Sequence, residues 1–259
     1  MLDPSETRKI INHCPIKVFS ASGGGQSSRY HYPYKLVSVP NSTGAVCNTC
    51  TELIVDSGIS DSSVTNSEVL DMAAERNATY VVPKDYLHDR RRTTESVRRF
   101  LALYEDHECT AQPLIPLQPP HDEHYEVLDG FSHYALGGIK GKSPTDQVEA
   151  LESFDQASGD EYVHALGLGG SLDFVKAIRD NPDLVDSVDL STHETAATND
   201  RLPDKTWKQQ SFAFPRGESS TTVRAAFAHA VLLELNYMLS PLCHDNVLSE
   251  PEVQSPLSW

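Results

Sequence analysis

SHYALGGIKGKSPTDQVEALESFDQASGDEYVHALG, residues 132 to 167, decides the fold. It opens on a short apolar run, SHYALG, closes on another, YVHALG, and holds a helical pattern from Pro144 to Ser158 between them. Ser143-Pro144-Thr145-Asp146 supplies an N-cap hydroxyl, a proline where the missing N–H costs nothing, and an acid in the first turn. Strand, helix and strand in succession imply a right-handed crossover and parallel pairing.

The same rhythm runs outward in both directions. Strands are expected at 16–19 (IKVF), 35–39 (KLVSV), 52–56 (ELIVD), 79–83 (TYVVP), 113–117 (PLIPL), 132–137, 162–167 and 184–190 (LVDSVDL). Helices are expected at 63–77, 93–107, 144–158 and 172–181, and a last amphipathic one at 222–239 follows a loop rich in Pro, Asp and Gly. Eight strands interleaved with helices predict an α/β chain folded as a compact (β/α)₈ TIM barrel, with an open doubly wound sheet as the alternative. The 259 residues read as one domain, its core at about 16–192 and a C-terminal loop and helix at 193–240.

Composition narrows the class. The start carries no basic segment followed by an apolar one, and no stretch approaches 18 apolar residues, so the expected location is the cytoplasm, with no membrane partner. Five cysteines without framework spacing read as reduced thiols. Against 37 acidic residues stand 21 basic ones, only nine of them Lys, for a net charge of −16. Such a surface repels polyanions, but the repulsion fades in brine, where the Debye length falls to about 3 Å at 1 M salt. Asp-rich, Lys-poor chains resemble proteins of halophilic organisms or of their viruses, and for a virus the location becomes the host cytoplasm.

Ligands of such barrels bind at the strands' C-terminal ends. There the sequence places Asp56-Ser57-Gly58, Asp85, Gln118, Gly137-Gly138, Gly167 to Gly170, and Asp189. Two or three acids, an amide and close-approach glycines suit a small polar planar ligand worked on by a carboxylate pair. Singly, an Asp after a strand is as often an N-cap or turn residue, and glycine pairs mostly permit tight turns. The joint occurrence is the signal.

These residues also carry a resemblance. GFSHYALGGIKGK (130–142) is similar to the GYAIGGLAVGE segment of the tRNA-guanine transglycosylase superfamily, and VDSGIS (55–60) to its TDSGGFQ. VHALGLGGSLDFVKAI (163–178) with LVDSVDLST (184–192) resembles its HYLMGVGTPEDLLEAV and DMFDCVLPTR. The matches keep their order over about residues 53 to 192. The resemblance implies a (β/α)₈ enzyme that exchanges guanine in a polynucleotide for a 7-deazaguanine base of the preQ₀ type through a covalent aspartyl–sugar intermediate. Asp189 falls on the nucleophile and Asp56 on the general acid/base, with Ser57 following in the same motif. Asp85 and Gln118 fall on residues that hydrogen-bond the base, and Gly137, Gly138 and Ile139 on the loop whose backbone faces it. An ionised Asp189 would trap the sugar, while Asp56 needs a raised pKa to pass a proton between the two bases. Asp186 reads as structural.

Departures from the family are equally specific. Its C-x-C-x-x-C zinc pattern is absent; after residue 192 the only cysteine is Cys243, and Cys47-Asn48-Thr49-Cys50 is a lone CxxC, whereas zinc needs four ligands. No cofactor or metal is therefore expected, with zinc through Cys47 and Cys50 as the alternative. The segment STHETAATND after Asp189 lacks the arginine and glycine pattern of the tRNA enzymes, and Pro119-Pro120 stand where glycines would. These losses resemble the short DNA 7-deazaguanine transglycosylases, so the expected polynucleotide is DNA ahead of tRNA. Arg90, Arg91 and Arg92, with Lys140 and Lys142, are candidate phosphate contacts, the alternative for the arginines being a solvated helix start. A non-catalytic nucleic-acid-binding barrel is the competing class, and it has no need of two acids. A helper protein and a homodimer stay open.

Overall fold

The computed structural model describes residues 4–21, 27–41, 44–58, 63–167, 172–198, 201–203, 209–211 and 221–241. A helix α1 (Pro4–His13) precedes strands β1 (Lys17–Ala21) and β2 (Tyr34–Ser38), and the short helix α2 (Gly44–Cys47) leads to β3 (Glu52–Asp56). Then follow α3 (Asn66–Glu75), β4 (Tyr80–Val81), α4 (Arg90–Tyr104), β5 (Gln112–Pro113), β6 (Ile115–Leu117), α5 (His121–Tyr125), β7 (His133–Leu136), α6 (Pro144–Ala157), β8 (Tyr162–Ala165), α7 (Leu172–Asp180) and β9 (Ser187–Leu190). The chain ends in α8 (Thr192–Thr198), an antiparallel ribbon of β10 (Arg201–Pro203) and β11 (Gln209–Ser211), and α9 (Thr221–Leu239).

All pairings of the main sheet are parallel, in the order β5-β4-β3-β2-β1-β9-β8-β7-β6. Leu114 divides one stave into β5 and β6, and its N–H still donates to Val81 O at 2.9 Å. The ring of eight staves closes through this divided one, which is the (β/α)₈ barrel rather than the open sheet. Each expected strand forms within a residue or two of its place, except that the TYVVP segment contributes only Tyr80 and Val81 to the ladder and the strand expected at 184–190 begins at Ser187, after a 3₁₀ turn at Pro182–Leu184.

Helix starts follow their caps. Ser143 Oγ accepts from Asp146 N at 3.2 Å to begin α6. Thr65 and Glu68 cap each other reciprocally, so α3 begins at Asn66 rather than Ser63. Asp89 accepts from Arg92 N and starts α4 at Arg90, three residues earlier than the periodicity predicts. Four pieces escape periodicity altogether: α1, the four-residue α2, the five-residue α5, and α8 with the β10–β11 ribbon inside the expected loop.

Two shells of apolar side chains hold the barrel. Inside, Phe19, Leu36, Ile54, Tyr80, Val82, Leu114 and Ala135 form one cluster, and Tyr80 of β4 stacks on Tyr162 of β8 across the lumen at 5.4 Å. Outside, a large cluster lies between the sheet and α1, α6, α7, α8 and α9, and a smaller one packs α3 and α4 on β3 and β4. Among the described side chains of the last helix, only Val223, Ala226, Ala230 and Glu234 are exposed, because α1, α7 and α8 surround it. Its polar Asn236 is turned inward, where Nδ2 donates to Tyr32 Oη at 2.8 Å.

Phe100 of α4 is fully buried against Tyr104 and the α3 face. Replacing it by Ala is expected to lower the unfolding free energy by about 3–5 kcal/mol in urea titrations. A loss under about 1 kcal/mol would show that α4 is not docked in this way.

Candidate active site

The polar residues of the strand ends converge on the mouth of the barrel, above the inner apolar cluster. Asp56 is the last residue of β3, on the same face as Ile54, which belongs to the inner cluster. Asp189 of β9 pairs with Phe19 of β1, another inner residue. Asp85 follows β4 and Gln118 follows β6. Burial raises the Asp56 pKa to about 7, helped by the charges of Asp85 and then Asp189, while the Gly58 and Ser57 backbone amides pull it down. Those two contributions put Asp85 and Asp189 within electrostatic reach of Asp56. Burial also raises Asp85 to about 6, against hydrogen bonds from its own backbone N–H and from Gln118.

Gln118 is fixed from both sides. Its Oε1 accepts from His88 N at 2.9 Å, which turns its Nε2 towards Asp85 Oδ2 at 2.8 Å. Its backbone N–H donates to His124 Nδ1 at 2.9 Å. Gly137 must lack a side chain here, since a Cβ would stand 2.6 Å from Gln118 Nε2. His121 Nε2 donates to Gly137 O at 2.8 Å and anchors the same turn. Asp85 and Gln118 thus form a buried, preorganised hydrogen-bonded pair.

Asp189 is held through one oxygen. Gly167 N donates to Oδ1 at 2.6 Å, and Oδ2 has no hydrogen bond to any described residue. Gly167 has φ +73°, and a Cβ there would meet the Lys140 side chain at 3.0 Å. Lys140, exposed at the rim, therefore runs beside the loop that holds Asp189. Asp186 is structural: its Oδ2 accepts from Val163 N at 2.7 Å on the next strand.

The remaining candidates divide. Ser57 is buried, and its Oγ has no partner among the described residues. Gly138 has φ +70° and packs on Pro119. The Ile139 side chain lies in the outer core and its carbonyl is occupied by Gln147 Nε2 and Lys142 N, at 3.1 and 3.2 Å. Arg90 is tied to Glu123 at 2.5 Å, Arg91 approaches Glu95 at 3.9 Å, and Arg92 lies 3.9 Å over the Tyr86 ring. Lys142 is exposed after β7. Cys50 Sγ donates to Cys47 O at 3.3 Å, both thiols are raised by burial, and no cluster of three metal-ligating side chains occurs among the described residues. Gly169, Gly170 and Cys243 lie outside the described residues, as do Ile59 and Ser60 of the VDSGIS stretch.

Reading the strand ends missed His164, whose Nε2 lies 3.5 Å from Asp189 Oδ1. The signal existed in strand alternation: Tyr162, His164 and Leu166 share one face of β8, as Ser187 and Asp189 share one face of β9.

These features define a (β/α)₈ barrel with an acidic, amide-bearing mouth. No protein-family profile and no curated protein matches the chain. Among solved structures, the carboxyl transferase domain of Rhizobium etli pyruvate carboxylase with 3-bromopyruvate is 11% identical over 91% of this chain and 50% of that one, at a TM-score of 0.48. The T882A pyruvate carboxylase of the same organism, crystallised without acetyl coenzyme-A, is 10% identical over 91% of this chain and 29% of that one, also at 0.48. The chain thus spans half or less of the length of these proteins. No helix among the described residues is long and apolar enough to cross a membrane.

Between the ordinary carboxylate value and about pH 7, the unfolded chain has released the Asp56 proton while the native one retains it. The native state binds more protons there, so this group makes stability fall as pH rises through that window. Asp56→Asn is therefore expected to raise the melting temperature at pH 8 and leave it nearly unchanged at pH 4. An equal effect at both would contradict the burial of the Asp56 charge.

Proposed function

We propose that the chain is a nucleic-acid base-exchange glycosyltransferase that replaces guanine by a 7-deazaguanine base of the preQ₀ type, acting on DNA. One observation carries this reading: Asp56 and Asp189, 133 positions apart, address one space, with Asp56 holding a proton up to about pH 7. The ordered resemblance between residues 53 and 192 supplies the reaction.

In it, Asp189 attacks C1′ of the target nucleotide with its unbonded oxygen. The C1′–N9 bond breaks, its electron pair goes to guanine, and Asp56 gives the departing base a proton. The incoming base returns a proton to Asp56 and attacks C1′, and the Asp189–sugar bond breaks. One glycosidic bond replaces another, and no oxidant or reductant enters. Asp85 and Gln118 bind the edge of the base, and Gly137 leaves room for Gln118. A base in duplex DNA must be flipped out to reach them. Lys140 and Lys142 are the rim cations for phosphates; the ion pairs of Arg90 and Arg91 make them weaker candidates. DNA is favoured over tRNA by STHETAATND and Pro119-Pro120, where the pattern of tRNA enzymes is lacking.

Incubation with labelled guanine-containing DNA or tRNA and preQ₀, at high salt, is expected to put the deazapurine into DNA. Incorporation into neither polynucleotide would remove the reading. Asp189→Asn should abolish exchange and any adduct that survives denaturation, and Asp56→Asn should slow exchange by about 10²–10⁴-fold. With a net charge of −16, activity is expected to rise between about 0.1 M and 1 M salt. Full activity at the lower concentration would show that screening is not needed.

A further inference from the structure

We propose that His164 is a positioning residue for Asp189, held in a single tautomer by a buried chain of hydroxyls from Tyr162 and Ser187. Its activity test rests on the base-exchange reading; its structural test does not.

The argument is an accounting of protons. Tyr162 Oη donates to Ser187 Oγ at 2.8 Å, and burial raises the phenol far above its ordinary value, so it keeps that proton. Ser187 is fully buried, and among the described residues its own proton has one acceptor within reach, His164 Nδ1 at 2.7 Å. An Nδ1 that accepts leaves the ring proton on Nε2. That N–H lies 3.5 Å from Asp189 Oδ1, is buried, and has no hydrogen-bond partner among the described residues. The Phe19 ring meets the imidazole edge-on at 5.6 Å.

A fully buried donor without a partner is costly, and a fold that retains one calls for an explanation. Here the donor sits beside the one carboxylate whose charge changes when a covalent bond forms and breaks. At 3.5 Å the contact is loose, and apo-state contacts of this kind tighten when a substrate is bound. With Gly167 N–H, His164 confines Oδ1 and turns Oδ2 to the mouth. It also stabilises the carboxylate each time Asp189 is released. Ser187 and Tyr162 act only through the ring.

Long-range proton–nitrogen NMR of ¹⁵N-labelled protein at pH 8, assigned by comparison with His164→Gln, reads the tautomer directly. The expected pattern is a protonated Nε2 and a bare Nδ1, turning into a mixture in Ser187→Ala, where Nδ1 has lost its donor. A proton on Nδ1 in the unaltered protein overturns the proposal. In the exchange assay, His164→Phe should lower kcat about 10- to 100-fold with little change in KM. His164→Gln, which returns an N–H near Nε2, should recover most of the rate. Phe equal to the unaltered protein, or Gln no better than Phe, overturns the proposal. Should Phe fail to fold, the Ser187→Ala tautomer decides. If the unaltered protein exchanges neither DNA nor tRNA yet shows the Nε2–H tautomer, the positioning stands and the base-exchange reading falls.

Discussion

The parallel pairing of β1 with β9 is the constraint on which the rest depends. Lys17, Val18, Phe19 and Ser20 lie opposite Ser187, Val188, Asp189 and Leu190, which joins the barrel strand that comes first in the chain to the one that comes last. That one ladder turns an open sheet into a barrel. It also puts Asp189 beside Phe19 over the inner apolar cluster, within electrostatic reach of Asp56 from the third strand. Had the sheet stayed open, the same acids would lie on distant strands in water, each with an ordinary carboxylate's behaviour.

Closure has an electrostatic consequence. Asp56 and Asp85 lose hydration on burial, and the charges of Asp85 and Asp189 add to the effect on Asp56, so the native state holds protons that the unfolded chain would release. The fold tolerates this because two large apolar shells surround the site and because the site's dipoles are fixed from behind. Gln118 is held by His88 N and His124, the Gly137 turn by His121, and Asp189 by Gly167. A destabilised cluster on a rigid scaffold is what proton transfer in the neutral range requires.

A second polar layer lies outside the barrel wall, under the C-terminal helices. Lys35 is buried on β2, donates to Ser27 O and Tyr30 O, and is lowered to about 8 chiefly by burial. Ser20 Oγ meets His193 Nε2 at 2.8 Å, Tyr30 donates to Glu194, and Tyr30 stacks on His229 of α9. The first two strands are not followed by long helices of their own, and these contacts dock α8 and α9 over that side of the barrel.

By itself the sequence determined the eight staves of the barrel, their alternation with helices and the residues at each stave's C-terminal end. Those are local: apolar runs of period two, caps such as Ser143, and turn glycines act over a few residues. The short helices α5 and α8 and the β10–β11 ribbon were not legible, since so few residues carry no period, and α1 was not singled out. The roles of individual side chains needed the tertiary structure. Only the folded chain shows that Arg90 and Arg91 have acidic partners, that the Ile139 carbonyl is occupied, and that Tyr162, Ser187 and His164 line up behind Asp189. Hydrogen-bond partners 20 to 170 residues apart leave no pattern in a sequence, and desolvation, the main cause of the raised Asp56 pKa, exists only once the barrel has closed.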